Sequence, residues 1–148
     1  MYYTESNIMI CADSAKVYSM IKDTCKWPQI FPPCKSVKIL KQEGKRIELE
    51  LTAVTRKKEF SWKSERIFDD ENKTVFFRQL EPAKPLKFMT GKWVVEEKNG
   101  KTQVKLTHEF DVNVKYFKRL FSLFARVFFI DTNSERELKG LKLHVESN

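Results

Sequence analysis

Residues 58–70 combine a fixed positive charge, a hydroxyl group and aromatic rings at every second position. In a β-strand, alternate side chains lie on opposite faces of the sheet. One face would carry Phe60, Trp62, Ser64, Arg66 and Phe68, and the other would carry Glu59, Ser61, Lys63 and Glu65 as an ordinary solvated face. A buried charge without its partner costs on the order of 3 to 5 kcal/mol, so a guanidinium is a poor component of a dry core. The first face is therefore expected to line a cavity, where Arg66 and Ser64 could hold an oxygen of a bound molecule.

A second interpretation of the same stretch needs no cavity. Arg66 could bend towards the edge of the sheet and pair with Asp69 or Asp70, while the aromatic rings pack as an ordinary core. The two interpretations differ in where the guanidinium points.

His108 is a candidate for proton transfer. On the predicted strand 101–112 it shares a face with Val104, Leu106 and Phe110, which should point inwards. An imidazole inside a cavity can shuttle protons near neutral pH. The same position also suits a neutral core histidine that hydrogen-bonds a backbone carbonyl or a Ser or Thr hydroxyl.

The composition is typical of one globular domain that is rich in aromatic rings. A chain of 148 residues lies in the single-domain range, so residues 1–148 are predicted to form one domain. Aromatic residues make up 13% of the chain, with twelve Phe against only four Gly. This is more ring surface than a minimal core requires, and a pocket for a small hydrophobic ligand is one use for it.

The chain is basic, with 28 Lys and Arg against 20 Asp and Glu and a net charge of +8. Such a charge suits nucleic acid, an acidic lipid surface or an anionic carrier protein. The lysines are scattered, and the sequence contains no helix-turn-helix, zinc-finger or RNA-binding aromatic motif. We therefore expect no nucleic-acid partner and favour an acidic protein partner or substrate.

The cysteines and apolar runs indicate a cytoplasmic protein. Cys11, Cys25 and Cys34 are odd in number and form no C-x-x-C pair, which is typical of reduced thiols. Their spacing to either histidine matches no ligand pattern, so no metal is expected. The N-terminus has no secretory signal, and Arg126 interrupts the longest apolar run before the ~20 residues of a spanning helix.

The first third of the chain is predicted to hold one strand and two small helices. Residues 2–10 are rich in Tyr, Thr and Ile and favour a strand. Asp13 is the predicted N-cap of a helix with an apolar stripe at three- and four-residue spacing. A short helical segment follows from Trp27 to Phe31, and Pro32-Pro33 ends it. This segment is a plausible wall at the mouth of a pocket.

From Cys34 the hydrophobic pattern has a period of two for about eighty residues. The breaks coincide with turn residues, and Asn99-Gly100 is the strongest two-residue hairpin signal. The predicted strands are 35–43, 45–56, 58–70, 73–80, 86–97 and 101–112. Together with the first strand, they are predicted to form a seven-stranded antiparallel sheet that bends around a helix.

The C-terminal region supplies that helix. Apolar residues recur at three and four between 116 and 129, and Phe124 belongs to this stripe. A second helical pattern covers 134–146, with Leu138, Leu141 and Val145 on one face and Glu137 among the polar residues elsewhere. One long helix and two helices are both compatible with the pattern, and the polar residues near 131–134 favour a break. The 116–129 stripe would close the cavity, although contact with an anionic membrane is an alternative that we do not favour.

The order of these elements resembles the helix-grip fold of the START-like superfamily. Within it, several segments resemble the aromatase/cyclase branch that acts on polyketides, the polyketide cyclase/dehydrase family, over about residues 20–113. The residues that carry the resemblance are Ser61 to Arg66, Asp69, Gln79, Met89, Gly91 to Trp93, Thr107 to Phe110, and Trp27-Pro28 with Phe31 and Cys34.

The resemblance implies an α+β fold with a cavity between a curved sheet and a long C-terminal helix. It implies a linear poly-β-ketone ligand delivered by an acyl carrier protein, with aldol cyclisation and dehydration and no cofactor. The candidate catalytic residues are Arg66, Ser64 and His108. The candidate substrate-binding residues are Trp27, Phe31, Cys34, Phe60, Trp62, Gln79, Met89, Trp93, Phe110 and Phe124.

Cys34 departs from the family pattern, because the family's pocket often has a tyrosine there. A thiol is a weaker hydrogen-bond donor than a phenol. Either the proton comes from another group, such as His108, or the protein binds its ligand without catalysis. A carrier of a lipid, quinone or polyketide intermediate is therefore the main alternative, and a regulatory ligand-binding module is a third.

Overall fold

The structure is a computed structural model that describes residues 1–31, 34–55, 58–81, 86–112 and 132–147. These ranges contain seven strands and three α-helices in the predicted order, with a 3₁₀ turn at Thr24–Lys26. In chain order they are β1 (Tyr2–Ile10), α1 (Ser14–Lys22), α2 (Trp27–Ile30), β2 (Cys34–Glu43), β3 (Arg46–Thr55), β4 (Lys58–Asp69), β5 (Thr74–Glu81), β6 (Leu86–Lys98), β7 (Lys101–Val112) and α3 (Thr132–Glu146).

The seven strands form one antiparallel sheet in the order β1-β7-β6-β5-β4-β3-β2. Strands β2 to β7 are a meander in which each strand pairs with the next along the chain, and β1 pairs with β7 at the far edge. Register shifts interrupt the β2–β3, β4–β5 and β6–β7 ladders. Such irregularities bend a strand and increase its twist, which suits a curved sheet. The prediction of a seven-stranded helix-grip sheet is confirmed.

The hairpin turns explain why the strand limits could be read so closely. Asn99 and Gly100 both have positive φ, 54° and 79°, as a two-residue primed turn requires. Lys98 pairs with Lys101 directly across this turn. Gly44, with a φ of 57°, begins the turn between β2 and β3.

Helix α1 begins where the sequence predicts, because the Asp13 side chain accepts a hydrogen bond from the Ala15 amide. Val17 and Ile21 are fully buried on its inner face. Tyr18 is also buried, and its hydroxyl donates to Asp70 at 2.9 Å, in the turn after β4. This bond ties the helix to the sheet.

Helix α3 packs against β1, α1 and α2 through Leu138, Leu141 and Val145, which are all buried as predicted. It begins two residues before the predicted start at residue 134. The predicted 116–129 helix, with Phe124, and the break that would follow it fall on or next to residues 113–131, which lie outside the described residues. Within the described ranges, no helix is both long and apolar enough to cross a membrane.

Candidate functional site

One row of residues crosses the concave face of the sheet and carries the candidate chemistry. The antiparallel registers pair Ile47 with Arg66, Arg66 with Phe77, Phe77 with Gly91, Gly91 with His108, and His108 with Thr4. Strands lie about 4.8 Å apart, so the Cα atoms of Arg66 and His108 are separated by roughly 14 Å. The backbone ladder therefore fixes the spacing of these two groups.

Arg66 points inwards, as the interpretation with a cavity predicted. Its side chain is 4% exposed, and its Cζ lies 4.1 Å from the centroid of the Trp27 ring and 5.4 Å from that of Phe77. No described residue accepts a hydrogen bond from Nε or Nη1. Cations are attracted to the faces of aromatic rings, so the two rings stabilise the charge without using its donors.

The alternative in which Arg66 pairs with Asp69 or Asp70 is wrong. Asp70 instead bonds Lys22 and Tyr18, and Asp69 bonds Asn72. Burial lowers the pKa of the Arg66 guanidinium to about 10, with Glu137 and Cys34 acting in the opposite direction. The group therefore stays protonated at neutral pH and remains a fixed positive charge.

Glu137 supplies a carboxyl group to the site, whereas the sequence analysis grouped it with the polar residues outside the apolar face of its helix. It lies on α3, and its side chain lines the same cavity as Arg66. Burial raises the pKa of the Glu137 carboxyl to about 7, although the charge of Arg66 offsets part of this effect. At neutral pH the carboxyl is therefore present in both protonation states. The sequence feature that could have identified Glu137 as inward-facing is its helical spacing, three residues after the buried Ser134 and four before Leu141.

His108 also lines the cavity. Burial and, to a smaller extent, the nearby charge of Arg66 lower the pKa of its imidazole to about 4, so the ring is neutral at pH 7. Its Nδ1 lies 3.5 Å from the Oγ of Ser134, a residue that is 2% exposed in the first turn of α3. This contact matches the interpretation as a neutral core histidine, while the position in the cavity matches the catalytic one.

Two other predicted site residues, Ser64 and Cys34, have polar groups with limited reactivity. Ser64 is 1% exposed, and its hydroxyl donates to the Arg78 carbonyl at 3.1 Å, so its proton already has an acceptor. Burial raises the pKa of the Cys34 thiol to about 11; Glu137 adds to the shift and Arg66 opposes it. A thiol with that pKa remains protonated and is a poor nucleophile.

The described residues enclose a cavity of about 70 Å³. That volume holds a few water molecules or one end of a ligand, whereas sites for whole drug-sized ligands are about 300–1,000 Å³. Predicted site residues that line it are Trp27, Cys34, Trp62, Ser64, Arg66, Gln79, Met89, Trp93 and His108, and unpredicted ones include Leu51, Phe77, Leu106 and Glu137.

Two predicted pocket residues lie elsewhere. Phe31 is fully buried and packs against the cavity-lining residues Trp27 and Trp93. Its ring centroid lies 4.6 Å from that of Trp27 and 5.5 Å from that of Trp93. Phe110 is fully buried in a small separate cluster with Met89 and stacks on Tyr2 at 5.7 Å. Strand parity predicted an inward face for Phe110 correctly, but it does not predict depth. The side chain of Phe60 and all of Phe124 lie outside the described residues.

The outer face of β4 is less simple than predicted. Glu65 was expected to be solvated, but it is 7% exposed because Arg46 and Arg78 cover it from the neighbouring strands. Hydrogen bonds and charges from these two arginines lower the pKa of its carboxyl, with the Arg78 hydrogen bond the largest cause. Glu65 is thus a structural ion pair on the convex side, away from the cavity.

In the described part of the chain, no three His, Cys, Asp or Glu side chains come together as a group that could hold a metal ion. The polar groups that converge are instead one cation, one carboxyl and one neutral imidazole.

The sequence matches a family model described as "Polyketide cyclase / dehydrase and lipid transport" over residues 10–135. A putative polyketide cyclase from Streptomyces cyaneus is 32% identical over 110 residues, which cover 73% of this chain and 72% of that protein. The granaticin polyketide synthase bifunctional cyclase/dehydratase from Streptomyces violaceoruber is 28% identical over 113 residues, 76% of this chain. The match covers 35% of that relative, so the chain spans about a third of its length.

The fold is shared with the crystal structure of the Zhui aromatase/cyclase from Streptomyces sp. R1128. The two superpose with a TM-score of 0.87 over 98% of this chain and 93% of that one, at 21% sequence identity.

Proposed function

Since the chain belongs to the polyketide cyclase/dehydrase and lipid transport family, we propose that it is an aromatase/cyclase-like enzyme that acts on a linear poly-β-ketone. The reacting end of the ligand occupies the Arg66 cavity. There a regiospecific aldol closure is followed by loss of water, which gives an aromatic ring. The proposal involves no metal or organic cofactor.

The observation that carries the proposal is that Arg66 is buried while two of its hydrogen-bond donors have no partner among the described residues. A guanidinium that is 4% exposed, with Nε and Nη1 unbonded to any described residue, is costly to the fold unless something else uses it. A ligand oxygen that gains negative charge during the reaction is the partner such a cation suits. Fixed charges of this kind act strongly where water is excluded.

The chemistry requires little more than this cation and a proton acceptor. The methylene between two carbonyls of a β-diketone is already acidic, so the site mainly has to hold the chain and the enolate oxygen. Arg66 binds that oxygen, and the enolate carbon attacks a distant carbonyl of the same chain. The aromatic walls from Trp27, Trp62 and Trp93 restrict how the chain folds.

Glu137 is the group proposed for proton transfer. With a pKa of about 7, its carboxylate can take the methylene proton and its acid form can return a proton to the alkoxide made by ring closure. The Glu137 carboxylate then takes a second proton from the adjacent carbon and returns it to the departing hydroxyl, which leaves as water, and enolisation of the remaining ring carbonyls completes the aromatic ring. His108 is a weak base with a pKa of about 4, so its proposed role is to hydrogen-bond a carbonyl oxygen in its neutral form.

The test compares Arg66→Ala with Arg78→Ala, a matched control on the same sheet whose side chain lies on the convex face. A synthetic poly-β-ketone thioester is the substrate, and ring formation is followed by absorbance and mass spectrometry. Loss of an oxyanion partner should lower kcat about 100- to 1,000-fold, with a smaller effect on ligand affinity. The control should retain activity. Equal activity of the two variants would refute the role of Arg66.

Cys34 favours a second candidate, a carrier that binds a lipid, quinone or polyketide without changing it. The family pattern often has a tyrosine there, and a buried thiol whose pKa is about 11 donates a proton poorly. In a carrier, neither wild type nor Arg66→Ala forms product, and the substitution only weakens binding. Mass spectrometry of ligands released from the purified protein would then identify a bound isoprenoid, quinone or fatty acid.

An acyl carrier protein is the proposed partner of the enzyme. The net charge of +8 and the exposed lysines of β2, Lys35, Lys38 and Lys41, suit an acidic surface. Binding should weaken steeply between low and physiological salt, because exposed charges are screened. Affinity that does not change with salt would contradict this partner.

A further inference from the structure

Gly91 leaves a gap in the row of side chains that joins Arg66 to His108. It pairs with Phe77 on one side and with His108 on the other. A Cβ atom at Gly91 would lie 2.5 Å from Phe77 Cζ and 2.2 Å from the Thr107 carbonyl oxygen. The ring of Phe77 therefore occupies the space that a side chain at position 91 would fill, as happens when a glycine in a strand allows a close approach.

From this position, the Phe77 ring contacts both Arg66 and His108. Its ring centroid lies 5.4 Å from Arg66 Cζ and 5.5 Å from the centroid of the His108 ring, with 67° between the two ring planes. The ring thus bridges the gap between the cation and the imidazole. Phe77 was not singled out from the sequence, although it lines the cavity.

Trp27 contacts the same guanidinium from α2, with Arg66 Cζ 4.1 Å from its ring centroid. The indole is itself fixed, because its Nε1 donates to the Ile21 carbonyl at 3.0 Å and its side chain is 2% exposed. Each ring interacts with the cation through its π-system. Neither consumes a hydrogen-bond donor of Arg66.

A carboxylate would hold a buried arginine differently, because it would accept the N–H groups that a ligand needs. No described carboxylate forms an ion pair with Arg66, and Glu137 is the charged group that acts on it across the cavity. We propose that Phe77, packed over Gly91, and Trp27 are positioning residues that hold Arg66 by π-contacts, so that no other described residue takes up its Nε and Nη1 donors and the guanidinium can bind the ligand. This rests on the proposed function, in which Arg66 binds a ligand oxygen.

The first experiment measures whether Phe77 acts through Arg66. Phe77→Leu keeps an apolar side chain but removes the ring. Phe68→Leu, at a buried phenylalanine of the same sheet that does not line the cavity, is the matched control. Phe77→Leu should lower kcat roughly 2- to 30-fold, the range of a cation–π contact, with little change in KM. In the Arg66→Ala background the same substitution should have no further effect. An equal loss in both backgrounds would overturn the proposal.

The second experiment keeps the shape of the ring and changes only its electronics. Incorporation of 3,5-difluorophenylalanine at position 77 weakens the negative ring face while the side chain still fills the space over Gly91. The fluorinated protein should fold as wild type and lose part of the kcat that Phe77→Leu loses. This variant also tests the proposal if Phe77→Leu does not fold. Unchanged kcat in a folded fluorinated protein would overturn it.

The third measurement does not depend on catalysis. The Nε–H resonance of Arg66 in a ¹H–¹⁵N spectrum is assigned by its loss in Arg66→Ala. It should shift or broaden in Phe77→Leu and stay unchanged in Phe68→Leu. A response of this signal without any cyclisation by wild type would refute the proposed function and support the positioning role. Cyclisation by wild type, together with an Arg66 Nε–H resonance that does not change in Phe77→Leu, would refute the positioning role alone.

Discussion

Replacement of Glu137 by glutamine should change how the stability of the protein depends on pH. Burial raises the pKa of this carboxyl from 4.5 to about 7, so the folded state holds its proton more tightly than the unfolded state does. Wild type therefore loses stability as the pH rises from the ordinary carboxyl range to neutrality. The rise of the pKa from 4.5 to about 7 corresponds to about 3 kcal/mol of free energy of unfolding in total. About 2 to 3 kcal/mol of it falls between pH 5 and pH 8.

The assay is urea denaturation of both proteins at several pH values across that interval. The free energy of unfolding of Glu137→Gln relative to wild type should rise by about 2 to 3 kcal/mol from pH 5 to pH 8. Taking the difference between the two proteins removes the opposite contribution of His108, whose lowered pKa favours the folded state as the pH rises. Glu135→Gln, at an exposed position of the same helix, is the control. A constant difference for Glu137→Gln would show that its carboxyl is ionised at neutral pH, and the proton-transfer role would then be wrong.

Three further predictions concern other parts of the chain. Cys34 should react with iodoacetamide at pH 8 at least about 100-fold more slowly than the two exposed cysteines, because burial raises its pKa from 9.0 to about 11. Peptide mass spectrometry measures the rate at each cysteine. Equal rates would contradict the burial of the Cys34 thiol. Glu65→Gln should lower the free energy of unfolding at pH 7 by about 1 to 3 kcal/mol, since two arginines lose their charged acceptor. Its deficit relative to wild type should shrink as the pH falls through the carboxyl range, where protonation of Glu65 removes the same charge. Asp13→Ala should cost about 1 kcal/mol in urea denaturation through loss of the α1 N-cap, and no change would contradict that cap.

The strands were predictable because each is marked by two local signals that agree. The period of two defines the faces, and residues such as Asn99 and Gly100 tolerate the positive φ that ends a strand. Once the turns are placed, the register follows, and the row that contains Arg66 and His108 could be deduced from it. Side-chain parity was correct for both residues for this reason.

The errors arose where a side chain depends on partners that are distant in sequence. Glu65 is buried only because arginines from both neighbouring strands cover it. Glu137 was grouped with the polar residues outside the apolar face of its helix, although its spacing to Leu141 is compatible with the inner side of α3, where it lines the cavity. Phe31 lies between α2 and β2, where no periodic pattern indicates whether a ring lines a cavity or lies behind it.

The two sides of the cavity are held in place by different forces. Hydrogen bonds between strands set the separation of Arg66 and His108, so substitutions that leave the ladder intact cannot alter it. Glu137 is carried by a helix that docks through apolar contacts of Leu138, Leu141 and Val145. A change of side-chain volume at those three positions would slide the carboxyl relative to the cation. If the proposed cyclase function holds, engineering of ring size or substrate length should therefore begin in the core beneath α3 and leave the sheet untouched.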